Sequence, residues 1–593
     1  MFRQSGFEDD HDFRARRVEK AQEKQSHERT ERRLGRVLLA LSVLLFLSTP
    51  HSRADSAMRQ AAVAIPEKQA AAIAVATLNR GGNAVDAAVA VGFALAVTLP
   101  DAGNIGGGGF MTLYMGGAGE FLDYRETAPA AASRDMYLDQ DGKPTSDASV
   151  FGHLAVGTPG TVAGLRAAHE RYGKLSWESL LQPAIELARD GFVPELWFLD
   201  VIRDAPAAFA SRTNFSEYFA KANGTELFRQ TELAKTLQRI AKTGGADFYH
   251  GKTADLLVQE MRRGGGLITS EDLKSYRPIW RTPMRETWRR YEILTAPLPS
   301  SGGFAIVQYL RMRDLIGKRF LDETHNSAQY IHLKAELEKR IFADRAQYLG
   351  DPDFSDFDVQ QLLTDEYMLQ RVSDLSFDKP SPTSKVKAGL EGKHTTHFSI
   401  LDFEGNAVSN TYTLNTDFGS GVVVEGAGFL LNNEMDDFSI APGVPNYYGV
   451  VGDEANAIAP GKRMLSSMSP TILLRDGKPS LVVGAMGGST IFTTVYQMIS
   501  NLTDFRMSAK QAQEMTRVHH QLLPENLISY SPSTPLADTT ANQLRERGYR
   551  VEPHPWEFGN VQLVWRNESG ALEAESDPRF AGRAQVLPEP ETR

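Results

Sequence analysis

The sequence predicts a protein of the α+β class, and three observations carry that prediction. Two Ala-rich helical runs open the globular part, a mainly helical stretch fills its middle, and a strand–turn–strand run begins at Thr395 after a polar segment. Helical periods and hairpin strands in one chain read as mixed helix and sheet.

In order along the chain, Glu67 to Asn79 is rich in Ala, Ile and Leu, and Gly81-Gly82 ends it as a helix C-terminus requires. Asn83 is placed to cap a second helix that runs to about Thr98 and is stopped by Pro100. Its residues are apolar nearly all round, so it belongs in the interior. A Gly-rich loop, Gly103 to Gly109, follows, then strand-like runs Phe110–Met115 and Glu120–Arg125. From about Gly160 to Ala346 the pattern is mainly helical. Ser373 to His394 lacks a sustained apolar period and reads as an exposed loop. Thr395–Leu401, the turn Asp402–Asn406 and Ala407–Leu414 then form a hairpin. Further strand-like runs are Ile472–Leu474 and Ser480–Gly484, and Ser508–His519 reads as a helix capped by Ser508.

Composition narrows the function. The chain has 593 residues, 41% hydrophobic and 23% charged, the balance of a soluble globular protein with ample material for a core. It has no cysteine, which excludes disulfides, a thiolate nucleophile and Cys-ligated metals. A net charge of -10 makes a nucleic-acid partner a poor expectation. His519-His520 lacks a carboxylate at metal spacing, so neither a metal nor a cofactor is expected.

The N-terminus reads as a targeting segment. Charged residues ending in Arg32, Arg33 and Arg36 precede an apolar run, Val37 to Leu47, and Ser52 and Ala54 supply small residues at cleavage spacing. The run is too short to span a bilayer comfortably. The expectation is a signal peptide over residues 1–54 and a periplasmic or secreted protein. An uncleaved anchor through residues 37–47 is the alternative, and only then is a membrane a partner.

The hairpin register points to chemistry. A loop Phe403-Glu404-Gly405 pairs Asp402 with Asn406 and, by extension, Thr395 with Thr413; a two-residue loop would instead bring Leu414 opposite Thr395. Under the first register Asn415 faces the same way. A chain cut before Thr395 would give that residue an α-amine beside its own hydroxyl, a known nucleophile–base pair. Thr-Thr also simply favours a strand. Glu434 and Asp437 offer carboxylates for an ammonium group. Ser466, Ser467 and Arg125 offer donors for a carboxylate. Gly487 and Gly488 allow the close backbone approach that oxyanion donors need. The Gly103–Gly109 loop follows a helix and precedes a strand, the reverse of a dinucleotide fingerprint, and contains no Gly-Lys-Ser/Thr.

From about Ala57 onward the chain resembles the γ-glutamyltransferase (glutathione hydrolase) family. The resemblance rests on Gly103–Met111, Asp344–Phe354, Thr395–His397, Thr411–Asn415, Leu430–Phe438 and Ser466–Pro470. It implies a four-layer αββα sandwich of the N-terminal-nucleophile hydrolase type. It also implies autocatalytic cleavage between His394 and Thr395, giving a large chain, 55–394, and a small chain, 395–593, that stay together. By the same resemblance Thr395 is the nucleophile, Thr413 bonds its hydroxyl, and Gly487 and Gly488 form the oxyanion hole. Arg125, Ser466 and Ser467 would hold a substrate α-carboxylate, and Asn415, Glu434 and Asp437 its α-amine. Ala441 to Pro460, with Tyr448, resembles a lid loop. The implied substrates are glutathione and related γ-glutamyl compounds, with water, amino acids or peptides as acceptors. Met486 and Glu434 stand where relatives often carry Pro and sometimes carry Gln. A cephalosporin (glutaryl) acylase on the same scaffold and a non-catalytic, unprocessed homologue are the alternatives.

Overall fold

The computed structural model describes residues 59–145, 147–382, 395–441, 443–447 and 449–590. The expected signal segment, the residues just before Thr395, and Tyr448 lie outside the described residues.

The strands of the first half are β1 (Gln60–Ile65), β2 (Gly108–Met115), β3 (Ala118–Tyr124), β4 (Ile279–Arg281), β5 (Met284–Trp288) and β6 (Tyr291–Thr295). Those of the second half are β7 (Thr396–Leu401), β8 (Ala407–Thr413), β9 (Thr471–Arg475), β10 (Lys478–Ala485), β11 (Val518–His520), β12 (Leu527–Tyr530), β13 (Arg550–Pro553), β14 (Val561–Arg566), β15 (Leu572–Ser576) and β16 (Arg583–Pro588). A seven-stranded sheet runs β16-β1-β7-β8-β2-β3-β4, and a six-stranded sheet runs β15-β14-β10-β9-β6-β5. Strands from before and after Thr395 are hydrogen-bonded neighbours in both: β1 lies between β16 and β7, β2 pairs with β8, and β6 pairs with β9. A small third sheet joins β11, β12 and β13.

The period of two along each strand assigns the layers. Ala62, Ala64, Leu401 and Ala407 of the first sheet meet Leu294, Ile472, Val482 and Val564 of the second in a core between the sheets. The opposite face of the first sheet, including Val63, Met111, Phe398 and Ile400, packs on helices α1 (Lys68–Asn79), α2 (Ala84–Thr98), α3 (Thr161–Tyr172) and α4 (Trp177–Asp190). The outer face of the second, including Ile293, Leu473, Val483 and Leu563, packs on α5 (Ser301–Ile316), α6 (Ala328–Tyr348) and α7 (Thr490–Thr503). The result is the αββα sandwich.

Helix α2 behaves as its sequence dictates. Asn83 Oδ1 accepts from the N–H groups of Val85 and Asp86 at 2.9 Å, Asp86 returns the bond to the Asn83 N–H, and every residue of the helix is buried. The stretch from about Gly160 to Ala346 is mainly helical, as expected, and also holds β4, β5 and β6, short strands whose alternation is lost among helical neighbours. One boundary needs correction. The helix from Ser508 ends at Glu514, because Val518–His520 is drawn into pairing with β12.

Candidate active site

The β7–β8 ladder pairs Leu401 with Ala407, Ser399 with Ser409 and Thr396 with Tyr412, so the same register sets Thr395 across from Thr413. The turn fixes this locally. Asp402 Oδ1 accepts the N–H groups of Glu404 and Asn406 at 2.9 Å, and Gly405 has φ 85°. Asn415, also at a positive φ of 85°, donates its N–H to Thr413 Oγ1 at 2.8 Å, which turns the Thr413 proton away from Asn415.

The Gly-rich loop has a steric purpose. Gly108 pairs with Thr413 in the sheet. A Cβ on Gly107 would lie 2.0 Å from the Thr413 carbonyl oxygen, and one on Gly108 would lie 2.6 Å from Glu126 Oε2. Only glycine lets this strand approach Thr413 while leaving room for the Glu126 side chain.

Thr395, Thr413, Asn415, Arg125, Asp437, Ser466, Ser467 and Gly488 line one cleft. Glu434 lies behind it, fully buried, with Oε2 2.6 Å from Arg125 Nη1. Arg125 Nη2 stands 2.5 Å from Asp437 Oδ2, and Glu126 Oε2 is 3.6 Å from Nη1. Burial opposes the Arg125 charge, but Glu434, Asp437 and Glu126 outweigh it and hold the guanidinium firmly protonated. Burial also pushes Glu434 well above the usual carboxylate range, raises Asp437, and lifts Glu126 to about 7, each against the pull of Arg125. The cluster therefore resists carrying all its negative charges at once.

Ser466 and Ser467 are held from α5 and the segment before it. The Ser466 N–H donates to Pro299 O at 2.9 Å, and its carbonyl accepts from the Ser301 N–H and hydroxyl at 2.8 Å. Gly487 (φ 129°) and Gly488 (φ 56°) precede α7. Their carbonyls accept the Thr490 and Ile491 N–H groups, while neither glycine N–H donates to an acceptor among the described residues. Two available amides at a helix N-terminus suit a developing oxyanion.

Several residues escaped the sequence reading. Arg345, Asn446, Val450, Met468, Ser489 and Ile491 also line the cleft. Asn446 and Val450 belong to the loop read as a lid, and Asn446 Nδ2 donates to Asp437 Oδ1 at 3.2 Å. The lid residue Tyr448 lies outside the described residues. His397, two residues from Thr395, is buried between the sheets, with Nδ1 2.8 Å from Thr411 Oγ1 and Nε2 3.0 Å from Ser399 Oγ. Ser399 Oγ donates to Gln562 O, so Nε2 carries the ring proton and Nδ1 accepts from Thr411. Burial pushes this imidazole down to about 3, so it is neutral. Arg345 had a visible signal: it sits in the Asp344–Phe354 motif, a charge on a long buried helix. His397 had none beyond the Thr395–His397 motif.

A threonine immediately before a central strand, within four αββα layers and lining one cleft with Gly488, is the arrangement of an N-terminal-nucleophile hydrolase. The chain belongs to the γ-glutamyltranspeptidase family: the family model described as Gamma-glutamyltranspeptidase matches residues 70–587. It is 55% identical to a glutathione hydrolase proenzyme of Pseudomonas aeruginosa over 526 residues, covering 89% of this chain and 94% of that one. It is 44% identical to the glutathione hydrolase proenzyme of Escherichia coli, covering 88% and 90%. Among solved structures, γ-glutamyltranspeptidase from Pseudomonas nitroreducens aligns at 51% identity and TM-score 0.53, over 54% of this chain and 96% of that one. A cephalosporin acylase from Bacillus halodurans aligns at 26% identity and TM-score 0.77, over 89% and 96%. Among the described residues no helix is long and apolar enough to cross a membrane.

Proposed function

We propose that this enzyme hydrolyses and transfers the γ-glutamyl group of glutathione and related γ-glutamyl amides, after the chain cuts itself between residues 394 and 395 into a large chain, 55–394, and a small chain, 395–593. The observation that carries the reading is the position of Thr395: it immediately precedes β7, in register with Thr413, and lines one cleft with Gly488.

In this reading the Thr395 hydroxyl attacks the γ-carbonyl carbon and its proton passes to the α-amine of the same residue. The oxyanion is stabilised by the N–H groups of Gly487 and Gly488. Collapse breaks the C–N bond, the proton goes to the departing amine (cysteinylglycine when the substrate is glutathione), and a γ-glutamyl ester is left on Thr395. Water releases glutamate; an amino acid or peptide amine takes the acyl group instead. Arg125, Ser466 and Ser467 hold the α-carboxylate, and Asn415, Glu434 and Asp437 hold the α-amine. That ammonium set favours a γ-glutamyl over a glutaryl donor, since a glutaryl group has no amine to satisfy buried carboxylates. The loop from 441 to 460 limits water entry. Export to the periplasm or beyond belongs to the same reading.

Thr395→Ala tests it. One uncut band on a denaturing gel and no turnover of γ-glutamyl p-nitroanilide are expected; cleavage or turnover by that variant refutes Thr395 as the nucleophile.

A further inference from the structure

The face of the first sheet that meets the second changes character along its length. Counting along β7 from Thr395, that face carries Thr395, His397, Ser399 and Leu401; on β8 it carries Thr413, Thr411, Ser409 and Ala407. At one end Leu401 and Ala407 pack with Val482 and Val564 of the second sheet in an apolar core. Towards Thr395 the side chains are polar, and they bond across the gap. Ser399 Oγ donates to Gln562 O of β14 at 3.0 Å, and Ser409 Oγ donates to Val483 O of β10 at 3.0 Å.

His397 fills the space beside these two links. Its Nε2 is 3.0 Å from Ser399 Oγ and its Nδ1 is 2.8 Å from Thr411 Oγ1, so the ring is braced on both β7 and β8. Against its other edge lies Gly484 of β10, the ladder partner of Gln562. A Cβ on Gly484 would lie 2.3 Å from the ring Cε1 and 2.4 Å from Nδ1. Gly484 sits inside a strand and has no left-handed φ, so the approach of the ring, and not the backbone, calls for glycine there. His397 follows Thr395 by two positions, and Gly484 precedes Gly487 by three. The ring seated on the glycine thus joins the two strands that lead to the nucleophile and to the oxyanion amides.

We infer that His397 is a positioning residue whose ring, bearing on Gly484, sets the gap between the sheets beside the cleft and so the distance from the Thr395 hydroxyl to the Gly487 and Gly488 amides. The role uses the shape of the ring and its two fixed hydrogen bonds and asks for no proton transfer. The inference rests on the γ-glutamyl reading and deepens it, because a misplacement of about 1 Å between a nucleophile and its oxyanion donors can cost on the order of 100-fold in rate.

The test compares the wild-type chain with Gly484→Ala, His397→Asn and the double variant. Both kcat and KM for γ-glutamyl p-nitroanilide are measured per cut chain, counted on denaturing gels, and inhibition by L-glutamate reports ground-state binding separately. A methyl on Gly484 needs about 1 Å more room against the ring. Gly484→Ala should therefore lose about 100-fold in kcat, with KM and glutamate inhibition within about threefold of the wild type. In the double variant the smaller side chain makes room for the methyl. It should recover at least about tenfold over Gly484→Ala, in turnover or, where Gly484→Ala does not cut itself, in self-cleavage. A purely structural role for His397 would instead lower glutamate binding along with kcat and make the two losses add. Additive losses, no recovery in the double variant, glutamate binding that falls in step with kcat, or Gly484→Ala within about twofold of the wild type would each overturn the inference. Failure of the wild type to cleave the γ-glutamyl anilide would refute the functional reading on which the inference stands.

Discussion

Arg125 Nη1 and Glu434 Oε2 lie 2.6 Å apart in a setting from which water is excluded. Asp437 and Glu126 also lean on this guanidinium, so removing the arginine would strand three carboxylates at once. Arg125→Met, which keeps much of the volume, should therefore destabilise the protein by about 3–5 kcal/mol, because Glu434, Asp437 and Glu126 lose their shared counter-charge. Urea unfolding with activity and fluorescence as joint probes measures this.

Removing only the hydroxyl of Thr413 isolates its part in the chemistry. Thr413→Val keeps the shape but takes away the oxygen that accepts the Asn415 N–H at 2.8 Å. We expect kcat for γ-glutamyl p-nitroanilide to fall by about 100-fold with KM little changed. Steady-state kinetics on fully cut enzyme checks it.

A methyl group on Gly487 would lie 2.3 Å from Thr490 Oγ1, at a φ of 129° that side chains avoid. Gly487→Ala should displace the first of the two oxyanion donors and lower kcat by about 100- to 1,000-fold. The loss should appear in both self-cleavage, followed on denaturing gels, and turnover.

Glu126 makes stability depend on pH in a defined direction. Burial, opposed by Arg125 and Arg463 and reinforced by Asp437, raises its folded pKa from 4.5 to about 7. An acid raised on folding binds its proton more tightly in the native state, so its contribution is lost as pH rises from about 4.5 through about 7. Glu126→Gln has no proton to lose. Relative to the wild type it should gain on the order of 1–3 kcal/mol between pH 5 and pH 8. Denaturant titrations of both proteins across that range give the difference; a parallel pH dependence would contradict the assignment.

Local interactions were legible in the sequence and distant ones were not. The register that sets Thr395 across from Thr413 follows from Asp402, Glu404 and Gly405, a turn closed within five residues. The capping of α2 by Asn83 is equally local. By contrast, the clustering of Glu126 and Glu434 around Arg125 joins residues more than 300 positions apart, and no periodicity reports that. Arg345 reads as one charge among many on α6 until the fold turns it toward Ser301. His397 looks like an ordinary strand residue until Gly484 of β10 is seen to leave space for its ring.

The weave of the sheets bears on what self-cleavage can accomplish. A break before Thr395 severs one peptide bond, but β1 still sits between β16 and β7, and β2 and β6 still clasp β8 and β9. The two products could part only by unzipping four ladders of main-chain hydrogen bonds. The cut thus acts as a chemical unmasking with no mechanical release, and each pair of chains should remain wedded for life. Mixing two differently tagged mature preparations should yield no hybrids unless both are first denatured.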